Sequence, residues 1–203
     1  MRTNILVAGL LCAALILLSC GTKSVDDFTN KYEGTRLVMK AVIPYDDENF
    51  QRYEAEDAMI FGSAGIQEAA GEEGTLYSNK KMVKGLTNYL NNSSKLPFSW
   101  TGRSYIQFAV TVPLDGDYTV DIIMNGLNGA EKKPIIVQVN GIDNRRHELD
   151  ATNAGPWNDM IAERFKLGLL RGLNTIRITH VPPAGSDQWI NIDCIDVSRG
   201  PTN

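Results

Sequence analysis

The sequence predicts an all-β protein, an antiparallel β-sandwich or jelly roll, on three observations. Short segments of alternating apolar and polar residues recur along most of the chain. Gly, Asn, Asp and Pro punctuate them at short intervals, and helical periodicity is nearly absent. A parallel α/β enzyme fold, which alternates its strands with helices of about 10–15 residues, is excluded.

Each element follows from its own residues. In Ser104 to Val112, the side chains of Ile106, Phe108, Val110 and Val112 share one face, with Tyr105, Gln107 and Thr111 on the other. Pro113-Leu114-Asp115-Gly116-Asp117 reads as a turn, and Tyr118, Val120, Ile122 and Met124 then alternate again. These two strands are expected to pair with each other and bury one face. Pro134 to Asn140 runs into Asn140-Gly141, a dipeptide that tolerates the positive φ of a tight hairpin. Trp157 to Leu167, Gly172 to His180 and Trp189 to Val197 supply three more strands. In the first of them, Asp159 and Glu163 fall on the same face as Trp157, Ile161 and Phe165. Ser63 to Glu73 has a trace of helical spacing, but its glycines argue against a helix. Leu37 to Ile43 can add an edge strand, closed by Pro44.

The N-terminus is of another kind. Ile5 to Leu18 is an unbroken run of apolar or small residues behind Arg2. It is shorter than the about 20 residues that a membrane-spanning helix needs, and it fits the hydrophobic region of a secretory signal. Its end, Leu17-Leu18-Ser19-Cys20-Gly21, resembles the bacterial lipobox, which implies cleavage before Cys20 and lipidation of that residue. Residues 1–19 are therefore expected to be a lipoprotein signal peptide, and 20–51 a polar tether with the edge strand. Residues 52–199 form the sandwich, and 200–203 a C-terminal tail. Gly21 lacks the aspartate that retains some lipoproteins on the inner membrane. The expected location is the bacterial cell envelope, at the outer membrane.

Composition narrows the function classes. After Cys12 leaves and Cys20 is lipidated, Cys194 stands alone, so no intrachain disulfide is available. The formal charge is −4 and no basic cluster occurs, which excludes nucleic acid as a partner. His147 and His180 sit in no paired motif, and no nucleophile elbow or phosphate-binding glycine loop is present. Glu54, Glu56, Asp159, Glu163 and Asp193 are carboxylates, but their spacing assigns no acid and no nucleophile for glycoside hydrolysis. No enzyme is expected. Glu54 and Glu56 lie two apart on an expected strand, so their side chains leave one face. Such a pair is either solvated, matched to Lys or Arg, or bridged by a hard cation.

Several local signatures occur in order: Tyr53-Glu54-Ala55-Glu56-Asp57-Ala58, Gly116-Asp117-Tyr118-Thr119-Val120, Val137-Gln138-Val139-Asn140-Gly141, Gly155-Pro156-Trp157, Gly172-Leu173-Asn174-Thr175-Ile176-Arg177-Ile178, and Asn191-Ile192-Asp193. Together, over about residues 52–199, they resemble the carbohydrate-binding modules of families 6 and 35, which are galactose-binding-like jelly rolls. The resemblance implies a non-catalytic domain that holds a polysaccharide or glycan. It implies a structural Ca2+ held by Glu54, Glu56 and Asp193. It also implies a sugar site among the loops at one end of the sandwich, with Trp157 and Asn191 as ligand-binding residues. Tyr89, in the polar loop Asn88 to Lys95, can supply a second aromatic wall, and Trp100 and Trp189 are further candidates. The chain departs from the families in having Cys194 where an aromatic often follows Asn-x-Asp, Met160 near a usual second Trp, and Ile123-Met124-Asn125 in place of Arg-Tyr-Ala.

The expected function is that of a glycan-binding lipoprotein, anchored to the membrane through Cys20 and acting beside separate glycan-degrading enzymes. The alternative is a structural or protein-interaction jelly roll without a sugar site. A small glycosidase or lyase comes third.

Overall fold

Two antiparallel sheets enclose one apolar core in the computed structural model. It describes residues 31–39, 50–68, 77–87, 104–125, 133–149, 160–182 and 188–199. The strands are β1 (Lys31–Met39), β2 (Phe50–Glu54), β3 (Met59–Phe61), β4 (Gly65–Glu68), β5 (Lys81–Leu86), β6 (Tyr105–Val112), β7 (Gly116–Asn125), β8 (Lys133–Val139), β9 (Ile142–Leu149), β10 (Met160–Leu169), β11 (Gly172–His180) and β12 (Ile190–Arg199). The larger sheet runs β1-β10-β7-β12-β5-β4, with β2 also paired to β12. The smaller sheet runs β3-β6-β11-β8-β9.

Period-two alternation decides which side chains meet between the sheets. Ile106, Phe108, Val110 and Val112 from the small sheet face Tyr118, Val120, Ile122 and Met124 from the large one, all buried. Each such side chain contributes about 1.5–3 kcal/mol by leaving water. The expected strands are present, and Gly172–His180 has the bounds that the sequence suggested. The expected pairing of Ser104–Val112 with the following strand is not: β6 and β7 lie in opposite sheets. Alternation reports only the face a strand buries, and two strands that bury the same core from opposite sides alternate alike. The Pro113–Asp115 connection crosses between the sheets, where the Tyr118 hydroxyl donates to the Leu114 carbonyl (2.9 Å) and Asp115 accepts from the Arg171 N–H (2.6 Å).

Two turns carry out their sequence signals. Asn140 and Gly141 adopt φ of 52° and 78°, closing the β8–β9 hairpin. Asn174, 1% exposed, folds back on the β10–β11 turn, donating to the carbonyls of Leu170 (2.6 Å) and Gly172 (3.1 Å). Its Oδ1 accepts from the Leu170 N–H (3.0 Å) and from the Asn140 amide (2.9 Å), so one side chain ties two turns together.

Ser63 to Glu73 is not helical where described: Gly65–Glu68 is the edge strand β4. The edge strand near the N-terminus spans Lys31–Met39, beginning inside the stretch read as tether. Its register against β10 slips between Tyr32 and Gly34 and again between Thr35 and Leu37. Each slip breaks the period-two signal from which a strand is read.

The outward face of the large sheet is organised in cross-strand rows. One row runs Arg164, Asp121, Asp196, Arg52 across β10, β7, β12 and β2. Arg164 and Arg52 each clamp their aspartate with two bonds, at 2.8 and 3.0 Å and at 2.7 and 2.7 Å. The next row, Ala162, Ile123, Cys194 and Glu54, belongs largely to a second apolar cluster with Tyr77, Met82 and Met160. A third row sets Asn125 beside Asn191.

Candidate functional site: a loop-bearing rim above an acidic cluster

Register places four connections between the two sheets and along them at one end. β5, β7, β9 and β11 finish there, and β6, β8, β10 and β12 begin there, as the pairs Leu86 with Ile190, Asn125 with Asn191, Lys133 with Leu149 and Tyr105 with Thr179 show. The connections 88–103, 126–132, 150–159 and 183–187 therefore all leave the same rim. Trp157 and Tyr89 fall on two of them and lie outside the described residues, as do Trp100 and Cys20.

Asn191 is placed at this rim, 3% exposed. Its Oδ1 accepts from the Gly85 N–H (3.0 Å) and its Nδ2 donates to Asn125 Oδ1 (2.8 Å). Asn125 in turn donates to the Tyr77 hydroxyl (3.1 Å). The amide thus joins β5, β12 and β7 just under the loops. Trp189, 37% exposed, lies two residues before Asn191 in the chain, and the buried Lys133 ammonium donates to its carbonyl (3.2 Å). His180, fully buried, bonds through Nδ1 to the Pro134 carbonyl (2.8 Å), and His147 sets its ring edge-on to Phe165. Both histidines serve packing there. A cavity of about 290 Å3, lined by Phe50, Thr111, Pro113, Tyr118 and Arg199, opens at the opposite end, away from these residues.

A second feature lies along β12. A bulge between Ile192 and Cys194 makes Asp193 an extra residue and turns it toward the segment that begins β5. The ligand atoms of Glu54, Asp193 and Cys194 lie within 4.8 Å of one another. The Ser78 N–H donates to both Asp193 oxygens (3.0 and 3.2 Å), and its hydroxyl donates to Glu54 Oε1. Nothing in the residue pattern pointed to Ser78. Its role depends on Asn79 and Lys80, which hold φ of 50° and 59°, a conformation that costs a non-glycine residue about 1 kcal/mol or more.

Glu54 and Glu56 do not share a strand face as alternation suggested. β2 ends at Glu54, and Ala55–Asp57 forms a 3-10 turn that carries Glu56. Glu56 is outside the 4.8 Å group, but its Oε2, like Glu54 Oε2, is buried without a hydrogen-bond partner. Burial pushes the Asp193 carboxyl up to about 7, with Glu54 adding to the rise and the Ser78 and Cys194 bonds opposing it. Glu54 is raised for the same first reason, and Glu56 and Asp196 add repulsion. Burial also drives the Cys194 thiol well above its ordinary range.

The residues therefore fit a hard cation. Two oxygens about 2.3–2.6 Å from one Ca2+ are at most about 5 Å apart, as the carboxylates of Glu54 and Asp193 are. Orphaned carboxylate oxygens without donors are the other sign of a missing positive partner.

No family model and no curated protein matches this sequence. Solved structures do. A family 35 carbohydrate-binding module from Clostridium thermocellum superposes with a TM-score of 0.53 at 25% identity, over 73% of this chain and 96% of that one. The fold is that of a family 35 carbohydrate-binding module. The family 35 module of Paenibacillus barcinonensis has a TM-score of 0.52 at 20% identity, covering 74% of this chain and 99% of its own. An exo-β-1,3-galactanase from Phanerochaete chrysosporium has a TM-score of 0.53 at 21% identity over 75% of this chain. The chain spans only 30% of that enzyme, against nearly the full length of the family 35 modules.

Proposed function

We propose that this protein is a non-catalytic carbohydrate-binding module that presents its sugar site on the loop-bearing rim. One observation carries the reading: four connections spring from the strand ends beside Asn191, at one end of a fold that solved family 35 modules share over almost their whole length. Trp157 offers a flat apolar wall to the C–H face of a pyranose, with Tyr89 or Trp189 as a second. Asn191, which the resemblance implied as a sugar ligand, is 3% exposed with its amide bonded to Gly85 and Asn125, and its proposed part is to brace the strands beneath the site. A site of one stacking face and a few hydrogen bonds gives a Kd of about 10 µM to 1 mM.

Ca2+ is proposed at Glu54, Glu56 and Asp193, where it neutralises buried carboxylates and ties the start of the sandwich to its last strand. Lipidation of Cys20 would hold the module at the bacterial envelope, where several chains acting together compensate for weak single contacts. The Ile5–Leu18 run before Leu17-Leu18-Ser19-Cys20 supports this anchor.

The test is a glycan array run with wild type and Trp157→Ala, with and without chelator. Binding to a defined glycan that Trp157→Ala weakens at least about tenfold is expected, the loss of one stacking contact. No binding to any plant, host or microbial glycan would sink the reading in favour of a protein-interaction jelly roll.

A further inference from the structure

The end of the sandwich away from the rim has a character of its own. β6, β8, β10 and β12 finish there and β2, β7, β9 and β11 begin there, as the pairs Val112 with Gly172, Leu169 with Gly116, Val139 with Ile142 and Ser198 with Phe50 show. Its turns, 113–115, 140–141 and 170–171, are short. On or directly after each turn stands one apolar side chain open to water: Leu114 (46% exposed), Ile142 (37%) and Leu173 (70%). Tight turns are built by Gly, Pro, Asn and Asp and have no use of their own for such residues. Arg171 and Arg199 are exposed at the same end, where Asp115 accepts from the Arg171 N–H and Lys166 stands 3.9 Å from Asp117.

β1 shows from which side the chain comes in. It runs antiparallel to β10, with Lys31 opposite Lys166 and Met39 opposite Met160. Met160 begins β10 at the rim, so the chain enters β1 from the end with the short turns. Ten residues separate Cys20 from Lys31, and the extended chain between them reaches at most about 40 Å. The ten residues of β10 are nearly as long, at about 33 Å. An anchor at Cys20 therefore draws the turns, and not the rim, toward the bilayer.

We propose that this end is a membrane-contact surface, seated on the bilayer that holds the anchor. Leu114, Ile142 and Leu173 enter the boundary between headgroups and acyl chains, which removes them from water, while Arg171 and Arg199 meet lipid phosphates. The chain's formal charge of −4 opposes capture by an anionic surface from solution, so the footing orients a protein already tethered and does not recruit it. Seated this way, the module turns its rim outward. The proposal deepens the anchoring proposed above and rests on it for proximity; a retained Ile5–Leu18 segment would deliver the chain to the same end.

The experiment uses the full chain reconstituted in vesicles of phosphatidylethanolamine and phosphatidylglycerol. An environment-sensitive fluorophore is attached at Leu173→Cys or, as the comparison, at Lys84→Cys, exposed on β5 near the rim; Cys194 is fully buried. Lipids brominated on their acyl chains are expected to quench the label at Leu173→Cys and spare the one at Lys84→Cys, with aqueous iodide doing the reverse. Adding Leu114→Ser and Ile142→Ser should return the Leu173→Cys label to iodide, and melting curves check that these exposed positions leave the fold intact. The intact mass reports on Cys20 separately. Quenching by lipid with Cys20 unmodified keeps the surface and removes the lipid anchor. A lipidated Cys20 with both labels equally open to iodide keeps the anchor and overturns the surface. The surface is also overturned if lipid quenches Lys84→Cys alone, if the two serine changes alter nothing, or if the chain does not stay with the vesicles.

Discussion

Removing divalent cations should make this protein less stable as the pH rises toward neutrality. Without a cation, burial holds the Asp193 carboxyl at about 7, against 3.8 for the unperturbed group, and Glu54 is raised alongside it. The folded chain therefore keeps protons that the unfolded chain has released, and its stability is full below about pH 4 and falls as pH climbs to about 7. For Asp193 alone the difference is worth about 4 kcal/mol, a drop of about 8–16 °C in Tm for a domain of this size. If Ca2+ occupies the cluster as proposed, it should reverse the effect by binding the ionised carboxylates, and at a hundred times its Kd it should restore about 2.7 kcal/mol. The assay is thermal unfolding followed by circular dichroism, from pH 4 to 8, in chelator and in millimolar Ca2+. A Tm in chelator that stays flat across that range, or one that Ca2+ leaves unmoved at pH 7.5, would refute the assignment of the cluster as a buried cation site.

Three further outcomes follow from contacts already described. Arg52→Ala leaves the 3%-exposed Asp196 beside Asp121 without its clamp, and should cost about 3–5 kcal/mol in urea unfolding. The pair change Arg52→Met with Asp196→Leu should recover most of that loss, and no recovery would point to a role beyond charge. Asn174→Ala strips the carbonyls of Leu170 and Gly172 of a donor and releases Asn140, and is expected to cost about 2–4 kcal/mol by the same measurement. Phe108→Ala, at 1% exposure between the sheets, should cost about 3–5 kcal/mol, and a loss below 1 kcal/mol would mean the core there is not packed as described.

Most of the architecture was legible in the sequence because the central strands obey a strict two-residue period. Ile106 to Val112 and Tyr118 to Met124 announce their buried face without ambiguity, and Asn140-Gly141 announces its turn. What alternation omits is partnership, so the assignment of β6 and β7 to opposite sheets had to come from register. Irregularity hid the rest. The bulges of β1 blur its pattern, and the break of β2 into a 3-10 turn moves Glu56 off the strand face. The acidic cluster was legible as Glu54 and Asp193, which resemblance marked. Ser78 was not, since its part depends on two successive left-handed residues, Asn79 and Lys80, and a lysine seldom adopts that backbone.

β12 holds the whole arrangement in a particular order of events. It touches β2, β5 and β7, and it bears Asn191, Asp193, Cys194 and Asp196. Its clamp to Arg52 closes 144 positions of sequence. A chain made from its N-terminus can therefore assemble neither the acidic cluster nor the ground beneath the loops until β12 has been synthesised. Such long-range closure is slow, and a nascent copy, or one clipped before Ile190, would lack both until that strand is supplied.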